Sequence, residues 1–271
     1  MNSASQPALQ PAPQPAPQPA PLAIVSAMRE ELHALLATLR TPHVTRLAGR
    51  EFHSGELHGR PVVLVLSGIG KVAAATTATL LIHAFKVSAL VFTGVAGGLR
   101  AGVQVGDVVL ARELLQHDMD ASPLFPRFEV PLSGRSHFAA DAALTQALAD
   151  AARRCLERVE TLVDAPQRRG FGIQHAVLHE GLIVSGDRFV ASAAHSTELC
   201  ELLPQALAVE MEGAAVAQVC ADFGLPFAVL RTISDRADDS AHVDFGRFIE
   251  TVASAYTHAI IDDWVQHLPP V

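Results

Sequence analysis

Residues 62–94 read VVLVLSGIGKVAAATTATLLIHAFKVSALVFTG: an apolar run, a glycine turn, an alanine-rich run and a second apolar run. The two apolar runs are short and nearly continuous, as in strands that are buried on both faces of a sheet. The alanine-rich run between them is long enough for a helix that connects two parallel strands. The segment therefore predicts a β-strand, α-helix, β-strand unit.

The same alternation continues on both sides of this unit. LAIVSA (22–27) and REELHALLATLR (29–40) predict a strand and a helix before it. Periodicity predicts further elements after it: strands near 107–115, 176–184, 207–210 and 227–233, and helices near 140–158, 191–201, 211–223 and 244–266. No repeat of ~20–50 residues is visible, which argues against solenoids and propellers. We expect an α/β fold, a single three-layer αβα domain with a central mixed, mostly parallel sheet.

The first 21 residues differ in composition from the rest of the chain. They contain 7 of the 17 prolines, in the pattern PAPQPAPQPAP, and no charged residue. Proline fixes φ and removes a backbone donor, so such a segment favours extended polyproline II over a core. We expect a disordered Pro/Ala/Gln-rich tail over 1–21 and the folded domain over 22–271. A docking motif for a proline-binding partner is the alternative for the tail.

The charge and the cysteine content of the chain indicate which partners and which cellular location to expect. The chain has 28 acidic against 20 basic residues and no basic run, so nucleic acid is not an expected partner. The apolar runs end before the ~18–20 residues that a membrane span needs. Cys155, Cys200 and Cys220 form no spaced pair, and no Lys or Arg precedes Arg29 as in a signal peptide. We therefore expect a cytoplasmic protein.

Several predicted strands end in glycine or carboxylate residues. Ligands bind at the carboxyl ends of strands in open α/β sheets, so these ends indicate where a site would form. Glu31, Glu212 and Asp235 each follow such a strand. Each one alone could simply stabilise the start of a helix or loop. Together on one rim they resemble a site for acid/base chemistry on a sugar.

Other catalytic patterns are missing from the sequence. The glycine segments SGIGK and TGVAGG match neither GxGxxG nor GxxxxGK[ST], so they indicate no dinucleotide or nucleoside triphosphate site. No serine lies in a GxSxG turn, which argues against a serine hydrolase. HDMD (117–120) has no second spaced histidine pair, so we expect no metal and no organic cofactor.

Eight motifs occur in one order: AMREEL (27–32), SGIGKVAA (67–74), TGVAGGL (93–99), VGDVV (105–109), HDMD (117–120), GLIVSGDRF (181–189), AVEMEGAAVAQVC (208–220) and RTISDRAD (231–238). In order and spacing they resemble the 5′-methylthioadenosine/S-adenosylhomocysteine nucleosidases of the purine nucleoside phosphorylase superfamily. The resemblance covers roughly residues 23–268. It implies a nucleoside phosphorylase-like fold and hydrolysis of 5′-substituted adenine nucleosides to release adenine. It also implies a homodimer in which ASPLFPRFEVP (121–131) completes the partner's active site.

The resemblance also implies roles for individual residues. Asp235 matches the general acid that protonates N7 of adenine, and Glu31 matches the carboxylate that activates the attacking water. Glu212 matches the residue that binds the ribose hydroxyls, with Met211 beneath the sugar. The remaining matches contact the base, support the ribose network or lie near the 5′-substituent: Phe189, Val190, Arg231, Ser234, Ile69 and Phe245.

Three departures from the family pattern bear on the reaction. Val95 stands where relatives often have a small residue beside the catalytic water. Arg29 replaces an acidic residue and could hold phosphate, and the segment 153–174 is unusually long and rich in arginine. The alternatives are a phosphate-dependent purine nucleoside phosphorylase, a non-catalytic adenine-nucleoside-binding protein, or a scaffold that acts through the tail. The preferred 5′-substituent stays open.

Overall fold

A mixed sheet forms the centre of the computed structural model, which describes residues 19–237 and 245–269. In the described chain ten strands pair: β1 (Leu22–Ser26), β2 (Arg40–Leu47), β3 (Arg50–Leu57), β4 (Arg60–Leu66), β5 (Ala89–Gly98), β6 (Val108–Gln116), β7 (His137–Ala139), β8 (Leu178–Ser185), β9 (Ala206–Glu210) and β10 (Phe227–Asp235). The helices are α1 (Arg29–Thr38), α2 (Lys71–Ala84), α3 (Ala142–Leu156), α4 (Val159–Leu162), α5 (Ala165–Gly170), α6 (Ala193–Leu202), α7 (Gly213–Phe223), α8 (Phe245–Phe248) and α9 (Ser254–His267). A π-helical turn, Ile249–Ala253, joins α8 to α9.

The strands lie in the order β10-β6-β8-β9-β5-β1-β4-β3-β2, with β7 beside β6 and β10 also paired with β5. β1 lies between β4 and β5 and is parallel to both, so Val25 is opposite Val65 and Phe92. Antiparallel pairing joins β2 to β3, β3 to β4, and β6 to β7 and β10. The prediction of an α/β fold with a mixed central sheet is confirmed.

Helices cover both faces of the sheet and give the predicted three layers. On one face, α1, α3 and α9 enclose a core that includes Leu35, Leu148 and Trp264. On the other face, α2 and α7 pack over Phe92 and its neighbours. None of the described helices is long and apolar enough to cross a bilayer.

The sequence patterns missed the β2–β3 hairpin. Nearly every residue of β2 is exposed, so RTPHVTRL shows no alternation of apolar and polar residues. The hairpin is held by antiparallel pairing of β3 with β4 and by the buried ring of Phe52. Long-range pairing therefore forms these strands, which local pattern does not reveal.

Two segments with unusual composition, the N-terminal tail and the arginine-rich segment 153–174, are described only in part or pack against the domain. The tail prediction falls mainly on residues 1–18, which lie outside the described residues. β1 begins at Leu22, and the carbonyl of Pro21 accepts a hydrogen bond from the Ser88 amide at 2.9 Å. The segment 153–174 forms the end of α3 with α4 and α5, and Arg154 pairs with Asp263 of α9 at 2.5 Å. This segment therefore covers the core.

Candidate active site

One cavity opens at the carboxyl ends of the strands, where the sequence predicted a site. Its lining comes from the residues that follow β1, β4, β8 and β9, from the last residues of β5, β9 and β10, and from the start of α8. Its lining includes all eight residues predicted to bind substrate and the predicted acid: Ile69, Phe189, Val190, Met211, Glu212, Arg231, Ser234, Phe245 and Asp235. Val95 also lines the cavity.

Asp235 ends β10 and has a fixed orientation. Its Oδ2 accepts a hydrogen bond from the Ser234 hydroxyl at 2.7 Å, and its Oδ1 accepts one from the Ala237 amide at 2.8 Å. A Cβ on Gly97 would lie 2.9 Å from Oδ1, so glycine is needed there for the close approach of β5. The carboxyl group is thus held at the cavity wall by neighbouring donors.

Glu212 follows β9 and is buried at the same cavity. Its Oε1 accepts a hydrogen bond from the backbone amide of Gly70 at 2.8 Å. Burial, together with the negative charge of Glu210, raises the pKa of Glu212 to about 7. The side chain therefore exchanges a proton near neutral pH and can accept hydrogen bonds from a polar ligand.

Glu210 and Arg231 form a buried ion pair beside Glu212. The guanidinium Nη2 lies 2.6 Å from Glu210 Oε2, and Arg231 also lies over the ring of Phe92 at 4.2 Å. Glu210 accepts further hydrogen bonds from the Ser185 hydroxyl and the Gly213 amide at the start of α7. The charge of Arg231 is thus compensated within the protein, as a buried charge requires.

Glu31 lies in the first turn of α1 and is fully buried, but it does not line the cavity. Ala27 and Met28 form the cavity wall on this side. Ser26 donates to Glu31 Oε2 at 2.5 Å, while Oε1 has no hydrogen-bond partner in residues 19–237 and 245–269. Burial raises the pKa of Glu31 above its ordinary value. The structure therefore places a buried carboxyl group behind the wall, and one of its oxygens has no partner among the described residues.

Two aromatic rings form the apolar side of the cavity. The rings of Phe189 and Phe245 lie edge to face, with centroids 6.0 Å apart. Phe189 is 46% exposed and Ile69 is 62% exposed, so this side is open at its rim. These rings give the cavity an apolar wall that can contact an aromatic or apolar group.

The positive charges at the cavity bear on the phosphate alternative. Arg29 lines a separate cleft with His33 and Arg50, away from the cavity. Within the described chain, the basic side chains that line the cavity are Arg188, which is exposed, and Arg231, which is paired with Glu210. In that same part of the chain, no group of three or more His, Cys, Asp or Glu residues is arranged to hold a metal ion.

Sequence analysis missed three groups that hold the site carboxylates. Ser26 and Ser185 are buried hydroxyls that donate to Glu31 and Glu210, and the Gly70 amide donates to Glu212. A signal existed for the two serines, because each one ends an apolar strand, where a buried hydroxyl needs a partner. No local signal indicates the Gly70 amide as a donor.

Comparison with known proteins agrees with this geometry. The family model of the phosphorylase superfamily matches residues 21–264. A 5′-methylthioadenosine/S-adenosylhomocysteine nucleosidase from Chromohalobacter salexigens is 38% identical over 234 residues, which cover 86% of this chain and 92% of that protein.

Two solved structures are similar over nearly their whole length. The Neisseria meningitidis 5′-methylthioadenosine/S-adenosylhomocysteine nucleosidase, in complex with methylthio-immucillin-A, has a TM-score of 0.80 and 35% identity, covering 92% of this chain and 100% of that one. Futalosine hydrolase of Helicobacter pylori strain 26695 has a TM-score of 0.78 and 34% identity, covering 91% and 97%. The chain therefore belongs to the phosphorylase superfamily, and within it to the 5′-methylthioadenosine/S-adenosylhomocysteine nucleosidase family.

Proposed function

We propose that the protein hydrolyses the N-glycosidic bond of 5′-substituted adenine nucleosides and releases adenine. One observation carries the proposal: Asp235, Glu212 and two aromatic rings line a single cavity, and the buried carboxyl group of Glu31 lies behind its wall. An acid for the base, an acceptor for the sugar hydroxyls and a base for water are the groups that this reaction needs. The names of the relatives support the same reaction.

The proposed mechanism assigns the proton transfers to two carboxyl groups. The bond between C1′ and N9 breaks with its electrons on adenine, and Asp235 protonates N7 so that the base leaves as a neutral molecule. The ribose develops positive charge, and a water molecule forms the new bond to C1′. Glu31 takes the proton of that water at Oε1, which requires the water to reach past Ala27 and Met28 at the cavity wall, and its raised pKa makes it a stronger base. A general acid or a general base typically increases the reaction rate ~10²–10⁴-fold.

The remaining residues position the nucleoside. Glu212 accepts hydrogen bonds from the ribose hydroxyls, and Met211 packs beneath the sugar. Phe189 stacks on adenine, while the backbone of Phe189 and Val190 reads the edge of the base. Arg231 and Ser234 support the polar network around the ribose. Ile69 and Phe245 contact the 5′-substituent.

The distribution of charge favours water over phosphate as the nucleophile. A phosphorylase needs cations that are free to bind the phosphate anion. Of the two basic side chains that line the cavity within the described chain, Arg231 is already paired with Glu210 and Arg188 is exposed to solvent. Arg29 lines a different cleft. A non-catalytic binding protein is disfavoured for another reason, because it would need neither the acid Asp235 nor the base Glu31.

Adenine release in phosphate-free buffer tests the proposal. The panel is 5′-methylthioadenosine, S-adenosylhomocysteine, 5′-deoxyadenosine and aminodeoxyfutalosine, each with and without added phosphate. We expect release without phosphate and formation of the free sugar. Release that depends on phosphate and yields a sugar 1-phosphate would identify a phosphorylase, and binding without release would identify a non-catalytic protein. The rank order of the panel identifies the 5′-substituent.

The finer biological setting is part of the same proposal. We propose a homodimer in which the segment 121–131 completes the partner's cavity. Leu124 is 83% exposed in the isolated chain, and the cavity rim at Ile69 and Phe189 is open. We also propose a cytoplasmic location, in keeping with three unpaired cysteines, and a role in methionine salvage.

A further inference from the structure

A ring of three interactions lies beside the cavity, in residues for which the proposed reaction has no role. Lys71, at the start of α2, extends its ammonium group to Asp118 Oδ1 at 2.6 Å. Asp118 Oδ2 accepts a hydrogen bond from the Asp187 amide at 2.9 Å. Asp187 Oδ1 accepts one from the Lys71 amide at 2.7 Å, which closes the ring. The ring thus joins the loops that follow β4, β6 and β8.

The ring holds one ammonium group, that of Lys71, which forms an ion pair with Asp118. The ammonium of Lys71 also donates to Gln116 at 3.0 Å, and only 15% of its side chain is exposed. Burial alone would raise the pKa of Asp118, but Lys71 and the Asp187 amide outweigh it and lower that pKa below its ordinary value. The contacts of Asp118 within the ring therefore favour its charged form.

The ring acts on the turn that carries the Gly70 amide. Gly70 has φ of 95° and ψ of 159°, a conformation open essentially to glycine alone. Gly70 is also the N-cap residue of α2, and it has no side chain that could cap the helix. Asp187 supplies that cap from a loop 116 residues away. The amide next to the capped one is that of Gly70, which donates to Glu212 at 2.8 Å. An unusual turn is thus held from outside, at the point where it contacts Glu212.

We propose that Lys71, Asp118 and Asp187 are positioning residues, which orient Glu212 toward the ribose by holding the Gly70 turn. This inference rests on the proposed role of Glu212. The ring touches Glu212 only through Gly70, so its loss should weaken ribose binding while the acid Asp235 and the base Glu31 stay in place. A purely structural ring would instead change thermal stability alone.

Steady-state kinetics of Asp118→Asn test the inference. We expect kcat/KM to fall at least tenfold, mainly through KM, because the amide cannot hold both Lys71 and the Asp187 amide. In the Glu212→Ala background, where the Gly70 amide has no side chain to hold, the same change should cost less than twofold. The inference is overturned if Asp118→Asn matches the parent, or if its cost is equal in both backgrounds. Glu51→Gln, which removes the exposed 2.8 Å pair with Arg46, is the matched control and should match the parent.

Two variants of Asp187 separate its cap from its charge. Asp187→Asn keeps an acceptor for the Lys71 amide and should stay within about threefold of the parent in kcat/KM. Asp187→Ala removes the acceptor and should resemble Asp118→Asn. If both variants match the parent, the cap does not position Glu212.

Hydrogen exchange of the Gly70 amide tests the hold on the turn without any substrate. We expect at least tenfold faster exchange in Asp118→Asn than in the parent or Glu51→Gln. Unchanged exchange would overturn the inference, whether or not the protein is a nucleosidase. Absence of adenine release by an otherwise folded parent would contradict the proposed function instead, so the two failures are distinguishable.

Discussion

The buried carboxyl groups of the site differ in their partners, and the partner decides what each one can do. Glu210 forms an ion pair with Arg231, so its role is to balance a buried charge within the protein. Asp235 is oriented by a hydroxyl and a backbone amide. Glu212 has one backbone donor and Glu31 one hydroxyl, which leaves both with acceptors for a ligand or water. Four similar side chains thereby have distinct roles.

Asp235→Asn should keep the fold but lower adenine release at least ~10²-fold, because an amide cannot deliver the proton to N7. Ser234 and the Ala237 amide remain as neighbours. Single-turnover adenine release and the thermal midpoint measure the two effects separately. Turnover close to the parent's would remove Asp235 from the mechanism.

Glu212 should make stability depend on pH. Its pKa is raised from 4.5 to about 7 in the folded protein, so the folded state binds the proton more tightly than the unfolded chain. The free energy of unfolding contributed by Glu212 is therefore greatest below pH 4.5 and is lost as the pH rises through about 7. The full difference is about 3 kcal/mol.

Urea unfolding at pH 4.5 and pH 8 of the parent and of Glu212→Gln measures this effect. The glutamine keeps an acceptor for the Gly70 amide but does not titrate. We expect the parent to lose more stability than the variant between these pH values. An equal loss in both proteins would show that Glu212 is already ionised at the lower pH.

At the scale of elements, the turn between β4 and α2 shows how contacts with distant residues fix the backbone conformation of a loop. Its glycines have positive φ, and its contact with Glu212 spans 142 residues of sequence. The turn has no cap of its own, so its conformation depends on Asp187 from another loop. The position of the Gly70 amide is therefore set by contacts between loops.

Gly70→Ala should lower the free energy of unfolding by about 1–3 kcal/mol and raise KM, because glycine alone tolerates this backbone. The new Cβ would also lie 3.1 Å from Asp187 Oδ1 and disturb the cap on α2. Gly59→Ala is the control, since Gly59 has φ of 74° and a Cβ added there would meet no atom within 4 Å. Gly59→Ala should lose stability without a change in KM. Equal KM values in both variants would refute the role of the turn.

At the scale of the whole molecule, the exposed apolar side chains near the cavity bear on assembly. Leu124 is 83% exposed, and Phe125 and Phe128 are half-buried. Phe128 packs against the core cluster beneath α6, which anchors the segment 121–131. Soluble monomers rarely leave such a group of side chains uncovered, and a two-fold dimer is the commonest way to cover it.

Light scattering at micromolar concentration should therefore show a dimer. Leu124→Asp should shift the protein toward the monomer and reduce its discrimination between 5′-methylthioadenosine and adenosine, because in the proposed dimer the partner's segment closes the 5′ end of the cavity. Val44→Asp alters another exposed apolar side chain, on β2, and should leave the dimer intact. A fully active monomer, or a Leu124→Asp dimer with unchanged discrimination, would contradict the proposed assembly.

Much of the fold could be predicted because the central strands have local signatures. LAIVS, VVLVL and ALVF are buried on both faces, so their apolar runs are visible without knowledge of their neighbours. The carboxyl ends of these strands meet at one edge by topology. For that reason Asp235 and Glu212 could be placed on one rim from their positions in the sequence, whereas Phe189 and Phe245 were assigned through the family resemblance.

The α/β class and the order of the central elements thus follow from the sequence pattern, and most of the residues at the cavity follow from the family resemblance of its motifs. Tertiary structure alone decided which carboxylate pairs with Arg231, that Glu31 lies behind the wall, that Arg29 faces another cleft, and that β2 and β3 are strands. The reason is physical. Apolar periodicity is a property of neighbouring residues, whereas ion pairs, caps and edge strands depend on groups that only folding brings together.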